Sequence, residues 1–117
     1  MARQNLDAPR ADDAQVIAQV CGGLDQVVRK GRTFDWLRSR QSKALASPQH
    51  QDLLYGTVRH FLSLRQQISQ YLAKPLRSKD HDLEMLLLVG AYQLEFSRRP
   101  AHAVVNSTVN ACRPLGK

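Results

Sequence analysis

The chain has 117 residues, a net charge of +7 from 17 Lys plus Arg against 10 Asp plus Glu, and 43% hydrophobic but only 6% aromatic residues. That length holds one core and excludes a binding module joined to a complete cofactor-binding α/β domain, while the scarcity of aromatics favours packed helices with a Leu, Val and Ala core. The excess of positive charge points to a polyanion such as nucleic acid, and the lack of any apolar run near the roughly 20 residues needed to cross a bilayer argues against a membrane partner.

In chain order the elements read as helices. Residues 1–8 read as a flexible tail without a signal-peptide stretch, and Pro9, followed by Asp12 and Asp13, marks a helix start. Ala14, Ile17, Cys21, Leu24 and Val28 repeat at helical spacing straight through Gly22-Gly23. One helix is predicted there, at a cost of about 1 kcal/mol per glycine relative to alanine. Arg29 and Lys30 suit its negative end and Gly31 a left-handed cap. Thr33 caps a second helix in which Phe34, Leu37, Gln41 and Leu45 follow the period. Ser47-Pro48 opens a run through Leu54, Val58, Phe61, Ile68 and Leu72, closed by Pro75 and long enough to be two helices meeting near Leu62. Ser78 caps the most hydrophobic segment, where Leu83, Leu86, Leu87, Gly90, Ala91 and Leu94 cover more than one stripe and predict a central helix. After the turn Arg98-Arg99-Pro100, the residues Ala101, Val104, Val105, Thr108 and Cys112 share one face of a last helix that Pro114 and Gly116 disrupt. With no sustained period-two alternation, the expected fold is all-α, a compact bundle of about five to seven helices.

Little in the sequence points to chemistry. Cys21 and Cys112 form no Cys-x-x-Cys pair, which speaks against a disulfide framework or a zinc site and for a reducing cytoplasm. His50, His60, His81 and His102 share no metal-ligand spacing, and no motif joins Ser, His and Asp. Gly22-Gly23 has no preceding strand, so it is not the Gly-rich turn of a nucleotide-like cofactor site. No catalytic and no metal-ligating residue is expected.

Binding is better supported. Trp36, Arg40 and Lys43, spaced by four and three, place an aromatic and two cations on one helical stripe. The stripe is either a platform for a base and its phosphates or, the preferred reading, Trp36 covering the core beside solvated cations. Basic clusters occur at Arg29, Lys30 and Arg32, at Arg38, Arg40 and Lys43, and at Arg98-Arg99, each open to RNA; Lys74, Arg77 and Lys79 are offset by Asp80 and Asp82. Arg59, at the edge of an apolar stripe, is equally suited to an ion pair or a phosphate. Gly56 and Gly90, inside apolar helical patterns, read as close helix crossings rather than RNA contacts, and His102 as a helix-start hydrogen-bonding residue.

Three blocks in order carry a resemblance: Asp52-Leu53-Leu54-Tyr55-Gly56-Thr57-Val58-Arg59, then Leu86 to Leu94 with Gly90-Ala91-Tyr92-Gln93-Leu94, then Pro100-Ala101-His102-Ala103-Val104-Val105-Asn106. Together they resemble the N-terminal NusB-like domain of the bacterial 16S rRNA cytosine-5 methyltransferase B family, with weaker similarity back to Ala14. The resemblance implies a NusB-like fold over residues 9–117, with Gly56, Gly90, Tyr92 and Pro100 as structural positions, and an RNA-binding accessory role on small-subunit rRNA. It also implies that S-adenosylmethionine and catalysis belong to a methyltransferase domain outside these residues, the parent protein's own C-terminal domain. The family's reactive cysteine follows a proline, whereas Cys21 follows Val20 and Cys112 follows Ala111. Members continue past the equivalent of Lys117 with a Gly-Leu-(Val/Ile)-Asn segment, so the resemblance implies further chain completing the helical domain. A stand-alone NusB-type antitermination factor and a helical protein-interaction scaffold are the alternatives.

Overall fold

In the computed structural model, residues 13–117 are described, so the expected tail and the helix start at Pro9 lie outside them. Helix α1, Asp13–Val28, runs unbroken through both glycines and buries Val16, Ile17, Val20, Cys21 and Leu24 on one face. Gly31 then takes a left-handed φ of +71°, which reverses the chain at no steric cost. Thr33 caps α2, Phe34–Ser39, its hydroxyl accepting from the Trp36 N–H at 3.0 Å.

Gln41 and Leu45 do not continue that helix. Gln41 sits at φ +51°, and Ser42 caps a separate 3-10 turn, Lys43–Leu45. The break has a packing reason: it drops Ala44, 2% exposed, against α1 at Gly23, where an added Cβ would overlap the Ala44 side chain.

Ser47 caps α3, Pro48–Arg59, with proline in the first turn. His60, at φ −105° and ψ 19°, separates α3 from α4, Phe61–Ser69, so the long apolar run is two helices meeting two residues ahead of Leu62. Helix α4 also ends well before Pro75, leaving Leu72 outside it. Ser78 is not the cap of the next helix: a 3-10 turn, Ser78–Asp80, intervenes, and the Ser78 carbonyl accepts from the His81 ring at 2.9 Å.

Helix α5, His81–Phe96, packs on α1, α3, α4 and α6 and is the central element that its apolar breadth predicts. Pro100 begins α6, Ala101–Ala111, its carbonyl accepting from the N–H groups of Ala103 and Val104 at 3.0 and 3.1 Å. The buried face of α6 is Ala103, Val104, Ser107 and Ala111; of the expected face Val104 is buried and Thr108 and Cys112 are half-buried, but Ala101 is exposed and Val105 is 53% exposed. The difference follows from Ser107, a polar residue drawn inward to bond the Ala103 carbonyl at 2.9 Å and the Arg99 guanidinium at 3.1 Å. Among the described residues there are six α-helices, two 3-10 turns and no strand.

Candidate nucleic-acid interface

Carboxylates decide which cations are free. Asp13 holds Arg99, Asp25 holds Arg29, Asp35 holds Arg38, Glu84 holds Arg65, Asp80 holds Arg77, and Lys117 bridges Asp80 and Asp82. Lys30, Arg32, Arg40, Lys43, Arg59 and Arg98 are exposed and form no ion pair among the described residues.

Three of those free cations gather around one aromatic. The Arg32 and Arg40 guanidiniums lie over the Trp36 ring at 4.7 and 5.0 Å from its centroid, and Lys43 lines the same shallow groove with Trp36 and Arg40. Its floor is α1 at Gln19, Gly22 and Gln26. Gly22 is exposed with open space where a Cβ would be, so nothing but backbone meets a ligand there. The arrangement arises because Thr33 turns the chain back over the end of α1, while the left-handed Gln41 returns Arg40 and Lys43 to the same side. Trp36 is half-buried and packs against the hydrophobic core, and its outer ring carries guanidiniums rather than a bare stacking surface. The indole therefore fixes two cations in place by cation–π attraction, and the groove is suited to phosphates.

The Arg98-Arg99 pair is split. Arg98 is exposed, but Arg99 turns inward, 19% exposed at its side chain, and donates to Asp13 at 2.7 Å, to Ser107 at 3.1 Å and to Gln93 at 3.2 Å. This ion pair joins the first described residue to the α5–α6 turn, so Arg99 acts in the fold and its charge is spent on Asp13. Arg29 is bound to Asp25 at 2.7 Å, though still exposed.

Residues 9–117 match the family model of the NusB family. The chain belongs to the NusB family. Similar relatives are the ribosomal RNA small subunit methyltransferases B of Shewanella oneidensis, 39% identical over 93 residues, and of Pasteurella multocida, 39% identical over 113 residues. The first alignment covers 76% of this chain and 22% of the relative, the second 94% and 24%, so the chain spans under a quarter of the length of these relatives. No solved structure matches.

In this NusB-family chain the three sequence blocks meet at α3, α5 and α6. A Cβ placed on Gly56 would overlap the Tyr92 ring, whose hydroxyl donates to Asp52 at 3.0 Å. Burial first, and then the bond to Asp52, raises the Tyr92 pKa above that of a free phenol. A Cβ on Gly90 would come within 3.1 Å of Thr108 on α6. Both glycines sit where helices cross rather than at the basic groove. His102 is exposed at the start of α6. Cys21 is buried and its thiol is pushed up to about 12, first by burial, the reverse of what a thiolate nucleophile needs.

Sequence periodicity missed two features. Arg32 precedes the α2 cap, so no helical stripe pairs it with Trp36, although their spacing of four was a readable signal. The other is a long apolar groove between α4, α5 and α6, where Tyr71 is 87%, Leu94 52%, Val105 53% and Val109 62% exposed. No helix among the described residues is long and apolar enough to cross a membrane, and none of their His, Cys, Asp and Glu side chains cluster to hold a metal ion.

Proposed function

We propose that this chain is an RNA-binding accessory domain of an rRNA small-subunit methyltransferase, acting in the cytoplasm and holding small-subunit rRNA through phosphate contacts and RNA shape. The observation that carries it is the groove in which Arg32, Arg40 and Lys43, none of them ion-paired among the described residues, surround Trp36. Relatives named as ribosomal RNA methyltransferases supply the substrate class. Lys30, Arg59 and Arg98 are further exposed cations without an ion pair among the described residues, and Arg29 is exposed although paired with Asp25. The residues present do not fit an S-adenosylmethionine site, since Gly22-Gly23 lies within α1 and no strand occurs among the described residues. In this reading the methyl-transfer step belongs to the rest of a longer polypeptide.

The test is binding of the chain to a small-subunit rRNA fragment and to a length-matched unrelated RNA across a salt series. The fragment is preferred and binding falls steeply with salt. Reversing Arg40 and Lys43 to Glu weakens both RNAs and lowers the log–log salt slope by about 1 to 2, as expected for two lost phosphate contacts. No binding at low salt would overturn the reading.

A second reading is favoured by the apolar groove of α4, α5 and α6. Glu95, bonded to Gln67 at 3.2 Å, is the one charged residue lining it among the described residues, which does not suit nucleic acid. The groove suits a helix contributed by the remainder of a methyltransferase polypeptide, with an apolar stripe over Leu94, Val105 and Val109. Docking and RNA binding use different faces and are compatible.

A further inference from the structure

A second row of cations and rings lies on α2, α3 and the end of α5, apart from the Trp36 groove. On α2, Arg38 donates to the Tyr55 hydroxyl at 2.8 Å, and Phe34 meets the Tyr55 ring edge-on at 4.5 Å between centroids. One helical turn further along α3 comes Arg59, exposed and without an ion pair among the described residues. The next residue, His60, stacks on Phe96 of α5 with centroids 4.2 Å apart and planes 18° from parallel, and Tyr92 lies behind Phe96 at 5.4 Å. The carboxylates near this row are engaged, Asp35 with Arg38, Asp52 with Tyr92 and Glu95, next to Phe96, with Gln67. Arg59 is near enough that its charge acts on the Tyr92 phenol.

Phe96 is the unusual member. A core phenylalanine would be covered, yet Phe96 is 46% exposed while held in a ring stack at the point where α3 breaks into α4. Its ring packs against His60 and Tyr92 and is half-exposed. A half-exposed aromatic beside an unpaired guanidinium is the combination that holds single-stranded nucleic acid, the ring taking a base and the guanidinium its phosphate.

We infer that the His60–Phe96 stack, with Arg59 beside it, is a site for one unpaired base of single-stranded RNA. The inference rests on the RNA-binding reading above and deepens it by separating a base-holding point from the phosphate-holding groove. A bundle with both can favour looped over fully paired RNA, because only an unpaired base can leave its stack for Phe96.

The test uses the full chain with two probes, a short oligouridylate and an oligomer of the same length with its bases removed and its phosphates kept. Phe96→Leu preserves apolar bulk at a half-exposed position, and its fold is checked by circular dichroism and thermal unfolding. It weakens oligouridylate about tenfold and leaves the abasic oligomer unchanged, whereas Arg59→Gln weakens both. Wild-type binding of both probes with no effect of Phe96→Leu on either overturns this inference and leaves the RNA-binding reading standing. Failure of the wild-type chain to bind either probe, or the rRNA fragment, overturns the RNA-binding reading and this site with it.

Discussion

Gly56 illustrates how one atom sets a helix crossing. Tyr92 lies where a Cβ would stand, and its hydroxyl donates to Asp52, one turn before Gly56 on the same helix α3. Gly56→Ala forces the ring out and breaks that bond, and urea unfolding should show a loss of about 1–3 kcal/mol, the usual cost of overfilling a packed site. The folded fraction still binds the abasic oligomer through the Trp36 groove, which Tyr92 does not line, and this separates packing from phosphate binding. Cys21 supplies a pH test. Burial disfavours the thiolate and pushes this thiol from the ordinary 9.0 up to about 12 in the fold. The folded state thus holds this proton more tightly, so the contribution is complete below the unfolded value and is lost as pH climbs through that window toward 12. Mass spectrometry after alkylation at neutral pH finds Cys21 protected in the folded chain and modified once urea unfolds it; rapid labelling of the folded chain would contradict the buried placement.

At the scale of elements, the departures from simple periodicity occur where one helix must fit another. The second helix stops at Ser39 although Gln41 and Leu45 keep its rhythm, because Ala44 has to reach the notch at Gly23. Gln41 bears the cost as a non-glycine residue at positive φ. Gln41→Gly should raise stability by about 0.5–1 kcal/mol in chemical denaturation. A loss of stability instead would mean that the Gln41 side chain contributes more than its backbone costs. On α6 the rhythm misleads in another way, since it counts apolar letters and Val105 is one. The buried position is Ser107, whose hydroxyl accepts from Arg99 beside Asp13 inside the bundle. Caps were easier to read: Thr33 and Ser47 bond within three residues, and such local bonds need no knowledge of the rest of the chain.

Over the whole molecule, charge and apolar surface are kept apart. Three free cations stand around Trp36, while exposed Tyr71, Leu87, Leu94, Val105 and Val109 gather between α4, α5 and α6. An exposed apolar groove promotes association, so the chain should self-associate in sedimentation experiments independently of salt and bind a hydrophobic dye. Leu94→Glu with Val105→Glu abolishes both and changes unfolding by no more than about 0.5 kcal/mol, since both positions face water. Persistent association of that variant would place the contact elsewhere. The sequence alone determined the all-helical class, the central place of α5, the helix starts at Thr33 and Ser47 and the three blocks that mark the NusB family, because helix periodicity, capping and short motifs are local properties of the chain, whereas the Ser78 cap it also suggested did not form. It also supplied the positive charge, but not its arrangement. Which arginines are free was decided by tertiary structure, since an acid as distant as Asp13 consumes Arg99 while Arg32 and Arg40 meet at Trp36 only after the chain turns back on α1. The apolar groove and the His60–Phe96 stack were likewise settled only when separate helices came together, because exposure is a relation between elements and no single helical stripe contains it.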